Sequence, residues 1–404
     1  SLGRVAGGGK LLTASMLGLI GGLTGVTLAI RKVVGEWLAF DKAMVEVSTI
    51  AGVTDKRMKE MRKSALLLSE ALGLDATEAA QGFYQALSAG VEESQIEEFM
   101  GSVGKFSQAA MTDVATATDL LTTALNSYNL EATDADAVSE KLFATIKLGK
   151  TTGAELARSF ARASGAASNG DVSMSELLGT IAQLTKKGVP TAEAFTQIKA
   201  SIQALYNPSK ELVAIYEELG VSGGRQLINQ LGLAGALDAV RTATGGNERV
   251  LIKALRSSEA YNGALFLTGE NLKDVQELTD EVADSTGKVN EASDKVGELL
   301  EKRILGLKAS FLIMNEELEK SLGLIETTSG AIANMGYTLQ AWREFLESPD
   351  KSDFGQAFLK ALELGLTDLS MMKQRWDEVG GIVYGITDLH RAQMAVLKRN
   401  NKEV

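Results

Sequence analysis

The chain has 404 residues, a formal net charge of −11, one histidine and no cysteine. Its length leaves room for more than one domain, and its missing thiols exclude disulfides, thiol chemistry and cysteine-ligated zinc. The acidic balance lacks the concentrated Lys/Arg face that phosphate neutralisation needs, so no specific nucleic-acid binding is expected.

Aromatic residues make up only 5%, against 41 glycines and 3 prolines. Packing must therefore come from helices that approach closely through small side chains, and long runs of Ala, Leu, Glu, Lys and Gln favour helix over sheet. The reading is an all-α protein: an apolar N-terminal helix, a multi-helix core and extended C-terminal helices.

Residues 1–39 are glycine-rich, and 11–30 carry no charge between Lys10 and Arg31-Lys32. Twenty residues of helix reach about 30 Å, the thickness of a bilayer core. Within them Leu17, Gly18, Ile20, Gly21, Gly22, Leu23 and Gly25 are the candidates for helix packing or membrane contact. Gly18 with Gly22, and Gly21 with Gly25, give the small-x-x-x-small spacing of closely packed helices. A buried core or oligomer helix fits the same run, and a secretory signal fits it less well because no Ala-x-Ala cleavage site follows.

Residues 40–269 read as a helical core of roughly eight to ten helices joined by short clusters of Gly, Asn, Asp and Ser. The basic run Lys56, Arg57, Lys59, Arg62 and Lys63 reads as the solvated face of an amphipathic helix. Asp75 with Glu78 marks a helix start, and Gly90, Gly149 and Gly220 mark stops. The pairs Glu92-Glu93 and Glu97-Glu98 lie at helix starts, where negative charge suits the dipole.

Ala144 to Thr151 satisfies a relaxed phosphate-loop pattern, but Val138, Leu142 and Ile146 precede it at helical spacing. A phosphate loop is delivered by a strand, so nucleotide binding is rejected. No Ser lies in a nucleophile-elbow pattern, and His390 has no second imidazole to share a metal. No catalytic, cofactor or metal site is therefore assigned, and no enzyme activity is expected.

Residues 170–208 hold the clearest local signals. Ser173 and Glu176 form a capping box, Leu177, Ile181 and Leu184 repeat at helical spacing, and Gly188 supplies a left-handed stop. Pro190 then suits the first turn of a second helix, Phe195, Ile198, Ile202 and Leu205 form its apolar face, and Pro208 ends it. This is a helical hairpin. Six glycines between Gly223 and Gly246 predict short helices with a flexible joint.

Residues 270–348 are densely charged. There Leu300, Ile304, Leu307, Phe311, Met314 and Leu318 alternate by four and three, the seam of a short coiled coil or of an intramolecular hairpin. A C-terminal helical unit occupies 349–404.

The Gly-x-x-Ser-x-x-Glu start of the hairpin, its Ala-x-Leu-x-x-x-Gly middle and its Leu-x-x-Pro close resemble the core of tail tape-measure proteins of long-tailed bacteriophages and prophages. Supporting positions are Phe40-Asp41 with the break at Gly52, the segment ending at Gly90, the Ala-rich helices between Phe106 and Phe160, and Leu219-Gly220-Val221. The resemblance spans roughly residues 40 to 270. The chain departs from the pattern at Phe195-Thr196, where the family often has Gly-Thr.

The resemblance implies a structural protein that templates tail-tube assembly and length and is ejected ahead of the DNA. It implies no cofactor. Its implied partners are further copies in a small homo-oligomer, a trimer, together with tail-tube and distal-tail proteins, a tail-assembly chaperone and the host membrane. The implied locations are the tail-tube lumen of the virion, the host cytoplasm during assembly and the host envelope on ejection. The family's usual length and the initial Ser lead us to expect a fragment. The alternative from another class is a pore-forming or membrane-disrupting helical protein that uses residues 11–30.

Overall fold

The computed structural model describes residues 35–299 together with 302, 305, 309, 312 and 313. The apolar candidates Leu17 to Gly25, the seam Leu300, Ile304, Leu307, Phe311, Met314 and Leu318, and His390 lie outside the described residues. The chain divides into two compact units. The first joins Ser1–Lys42 to Leu307–Val404, and its described part includes the rings of Trp37 and Phe40, 6.3 Å apart. The second, Ala43–Gly306, holds nearly all the described residues.

Every regular element among the described residues is helical. In chain order they are α1 (35–51), α2 (Asp55–Leu72), α3 (Ala76–Ser88), α4 (Ile96–Ala109), α5 (Val114–Tyr128), α6 (Ala135–Leu148), α7 (Gly153–Phe160) and α8 (Ser164–Asn169). There follow α9 (Met174–Lys186), α10 (Thr191–Tyr206), α11 (Lys210–Glu218), α12 (Gly224–Ala243), α13 (Glu248–Leu255), α14 (Ser258–Leu267), α15 (Leu272–Ala283) and α16 (Lys288–Gly297).

Up to Leu267 the helices are more numerous and shorter than their periodicity predicts. The clearest case is α7 and α8, of 8 and 6 residues. The Ala, Ser and Gly around their junction carry no strong stop signal. What ends α7 is the burial of Phe160, Ala163 and Ala167, which turns the chain inward.

Local chemistry sets half of the sixteen helix starts among the described residues. Thr54, Asp75, Asp113, Thr152, Ser173, Ser209, Asn247 and Ser257 each accept a backbone N–H from the first turn that follows. Such a cap is worth about 1 kcal/mol.

The hairpin forms as its signals require. Ser173 Oγ accepts the Glu176 N–H at 3.2 Å, and Gly188 at φ 96° lets Val189 donate to the Leu184 carbonyl at 3.0 Å. Pro190 sits one position ahead of α10, as its N-cap. Gly149 ends α6 in an extended conformation, not a left-handed one.

The hairpin is the centre of the second unit. Leu177, Ile181, Leu184, Phe195, Ile198 and Leu205 are fully buried, and Phe160 meets Phe195 edge to face with centroids 6.0 Å apart. Each such side chain contributes about 1.5–3 kcal/mol relative to exposure. Helix α15 packs on α9, α14 on α10, α7 on α5 and α10, and α6 on α9. Helix α16 lies on α4 and α6.

Small residues set the closest approach. A Cβ added at Gly179 of α9 would stand 2.7 Å from the Thr279 Cα and 2.9 Å from its backbone N, so α15 can lie where it does only against glycine.

Candidate functional site

Three ionisable groups of this unit, Glu176, Glu140 and Arg57, join elements that are distant in the sequence. Glu176, expected to close a capping box on Ser173, instead turns its carboxylate to α12 and accepts the Leu233 N–H. That donor is free because α12 breaks at Gly232, with φ 73° and ψ 174°. The backbone angle demands glycine, and a Cβ at Gly232 would also meet Glu176 Oε1 at 2.5 Å and displace the carboxylate. The joint expected to be flexible is thus two helical halves with a held corner. Burial pushes the Glu176 carboxyl above its ordinary pKa, opposed by the hydrogen bonds from Leu233 and Ala234. From α5, Tyr128 adds a buried hydroxyl with no partner.

A second long-range cap joins α6 to α16. Glu140 of α6, only 7% exposed, accepts the N–H of Lys288 at 2.9 Å and that of Val289 at 3.1 Å. The N-cap of α16 is Gly287, which has no side chain to do this itself.

Arg57 corrects the reading of the basic run. Lys56, Lys59 and Lys63 are exposed as expected, but Arg57 sits between two carboxylates. Its Nε lies 2.6 Å from Glu93 and its two terminal nitrogens 2.8 and 2.9 Å from Glu97. The hydrogen bond to Glu97 is the largest influence on the guanidinium, and the pKa is raised. Glu93 and Glu97 therefore bind an arginine in addition to flanking the start of α4.

The segment Ala144 to Thr151 is delivered by α6, so the strand-to-helix context of a phosphate loop is replaced by a helix end. Gly149 is backed against Thr185 and Ala182 of α9, and Lys150 N–H donates to Thr185 Oγ1 at 3.1 Å. Thr191 joins Thr151 at 2.9 Å and Glu155 at 3.1 Å, so the nearby polar groups bond to one another. A shallow depression of about 270 Å³ opens between the end of α3 and the end of α5, with Glu92, Gln95, Asn126 and Glu131 on its walls. Among the described residues no group of three His, Asp or Glu side chains is arranged to hold a metal ion, and no helix is long and apolar enough to cross a membrane.

The geometry is that of a helical packing unit in which Glu140, Glu176 and Arg57 join its own elements. The family described as phage-related minor tail protein matches residues 62–255, from α2 to the end of α13. A tape measure protein of Pneumococcus phage Dp-1 is 25% identical over 326 residues, covering 78% of this chain and 28% of the relative. A probable tape measure protein of Clostridium phage phiCD119 is 26% identical over 326 residues, covering 78% of this chain and 34% of the relative. The chain thus spans about a third of the length of these relatives. No solved structure matches. Residues 62–255, which contain the α9–α10 hairpin, thus match the family of phage-related minor tail proteins, and the chain is similar to tape measure proteins of two phages.

Proposed function

We propose that this chain is part of a structural tail protein that templates assembly and length of a phage tail tube and leaves with the DNA at infection. The observation that carries the reading is the similarity to two tape measure proteins along 326 residues. The packing is consistent with it, since the ionisable side chains described above are spent on joining helices. The protein acts by occupying length and surface, without catalysis.

In this reading the second unit is a folded node on the tape. Its helices turn back at Gly188 and are kinked at Gly232, so added residues here would not lengthen a rod. Length is measured by other segments, where each helical residue contributes about 1.5 Å. The partners are further copies in a trimer, tail-tube and distal-tail proteins and a tail-assembly chaperone. The protein occupies the tail-tube lumen after assembly in the host cytoplasm. Leu17 to Gly25 meet the host envelope on ejection.

The test is to co-express the parent protein with the tail-tube subunit of its own genome and measure tubes by electron microscopy. Tubes of one length are expected, longer by about 1.5 Å for each helical residue inserted outside the folded unit. Tube lengths indifferent to the protein overturn the proposal. Release of dye from protein-free liposomes by the chain alone would instead favour the pore-forming reading that the apolar run 11–30 allows.

A further inference from the structure

Helix α16 packs on α4 and α6 and is pinned there by polar groups at two points. Its buried side chains are Val289 and Ser293, with Ala292 and Val296 half-buried. Its N-terminus is held by Glu140, and its middle by Gln108 of α4, which is 3% exposed. The Gln108 amide donates to the Leu72 carbonyl, and its oxygen accepts the Ser293 hydroxyl at 2.5 Å. Its ten residues include Asn290, Ser293, Asp294 and Gly297, which are weak helix formers, so α16 does not sustain itself without its seat.

We propose that α16 is a releasable strap, which leaves α4 and α6 by turning about Gly287 while the rest of the unit stays folded, with Glu140 and Gln108 as its catch. The physical basis is what release exposes. Both catch residues exchange their bonds to α16 for bonds to water, and Val289 is the one fully buried apolar side chain that loses its cover, with Ala292 and Val296 half-buried beside it. Gly287, at φ 69°, follows Asp284, Ser285 and Thr286, a turn of small and polar residues. Release also parts the Lys302 backbone from Gly73 at the end of α2. This stands on the packing alone, whether or not the chain measures a tail.

Backbone amide exchange read by mass spectrometry tests it on the whole chain. Amides of 289–297 are expected to exchange at least about tenfold faster than those of α4, α6 and α15, and about tenfold faster again in Glu140→Ala, with the other helices unchanged. Glu140→Gln, which keeps an acceptor oxygen for the Lys288 and Val289 amides, should leave α16 nearer the wild-type rate than Glu140→Ala. Acceleration throughout the unit in Glu140→Ala, or exchange of α16 as slow as that of α4 in the wild type, overturns the proposal.

Discussion

Helices α15 and α16 follow one another in the chain, are similar in length, and are held by different physics. Helix α15 buries Val275, Leu278 and Val282 and lies against α9 at Gly179, so area and close contact hold it. Helix α16 buries one apolar side chain and depends on Glu140 and Gln108. Apolar contact supplies free energy in proportion to area, whereas a buried polar bond adds about 1 kcal/mol net and mainly decides position. The same unit thus contains a core that holds and a strap that is placed.

That contrast breaks first at the hairpin. Phe195→Ala should cost about 3–5 kcal/mol, because it empties the ring site against Phe160. Equilibrium denaturation followed by helical circular dichroism reads this, and a cost near that of a surface change would remove the hairpin from the centre of the core.

Next comes the α9–α15 crossing. Gly179→Val should destabilise by about 3 kcal/mol, since the nearest atoms include the Thr279 backbone, which no side-chain rotation can move aside. It should also make the amides of α15 exchange as fast as those of α16. Protection of α15 left intact would show that close approach is not what holds it.

Glu176 sharpens the comparison, because it is a polar connector within the apolar region. Glu176→Ala leaves the Leu233 N–H without its acceptor and should cost about 1–3 kcal/mol. Glu176→Gln retains an acceptor oxygen and removes the charge. Burial raises this carboxyl above its ordinary value of 4.5, so its contribution to stability is full below that value and is lost as pH rises through the raised one. Glu176→Gln lacks that loss and should gain on the wild type across that window. Melting temperatures of both proteins over the pH range check the sign.

The smallest effect belongs to the outer surface. Arg57→Ala should cost below about 1 kcal/mol, and less in high salt, because Glu93 and Glu97 are partly solvated. A salt-independent loss would class Arg57 with the inner connectors.

Much of the hairpin was legible because its signals are local: Ser173, Gly188 and Pro208 act within a few residues of their own positions. The basic run was legible for its lysines and misread at Arg57, whose carboxylates lie 36 and 40 positions away. Glu176 was assigned to the nearest amide, a reasonable local choice, but the donor at Leu233 is left free by the Gly232 break and competes for it. A glycine break with no Ser, Thr, Asp or Asn before the next helix was the available sign that an acceptor must come from elsewhere. At Gly287 that sign is hidden by Asp284, Ser285 and Thr286, which offer local caps, and nothing local points to Glu140, 148 residues earlier.

The sequence by itself determined that the chain is helical, where many helices start and stop, and which faces are apolar, because propensity, capping and periodicity act over a few residues. Only the tertiary structure decided that α7 and α8 are separate, that α15 is gripped by area while α16 is held by a carboxylate and an amide, and that Gly232 makes a held corner. Those outcomes depend on which buried donors lack a local acceptor and on which atoms meet at a helix crossing. Both are properties of pairs of residues far apart in the chain, and no local pattern encodes them.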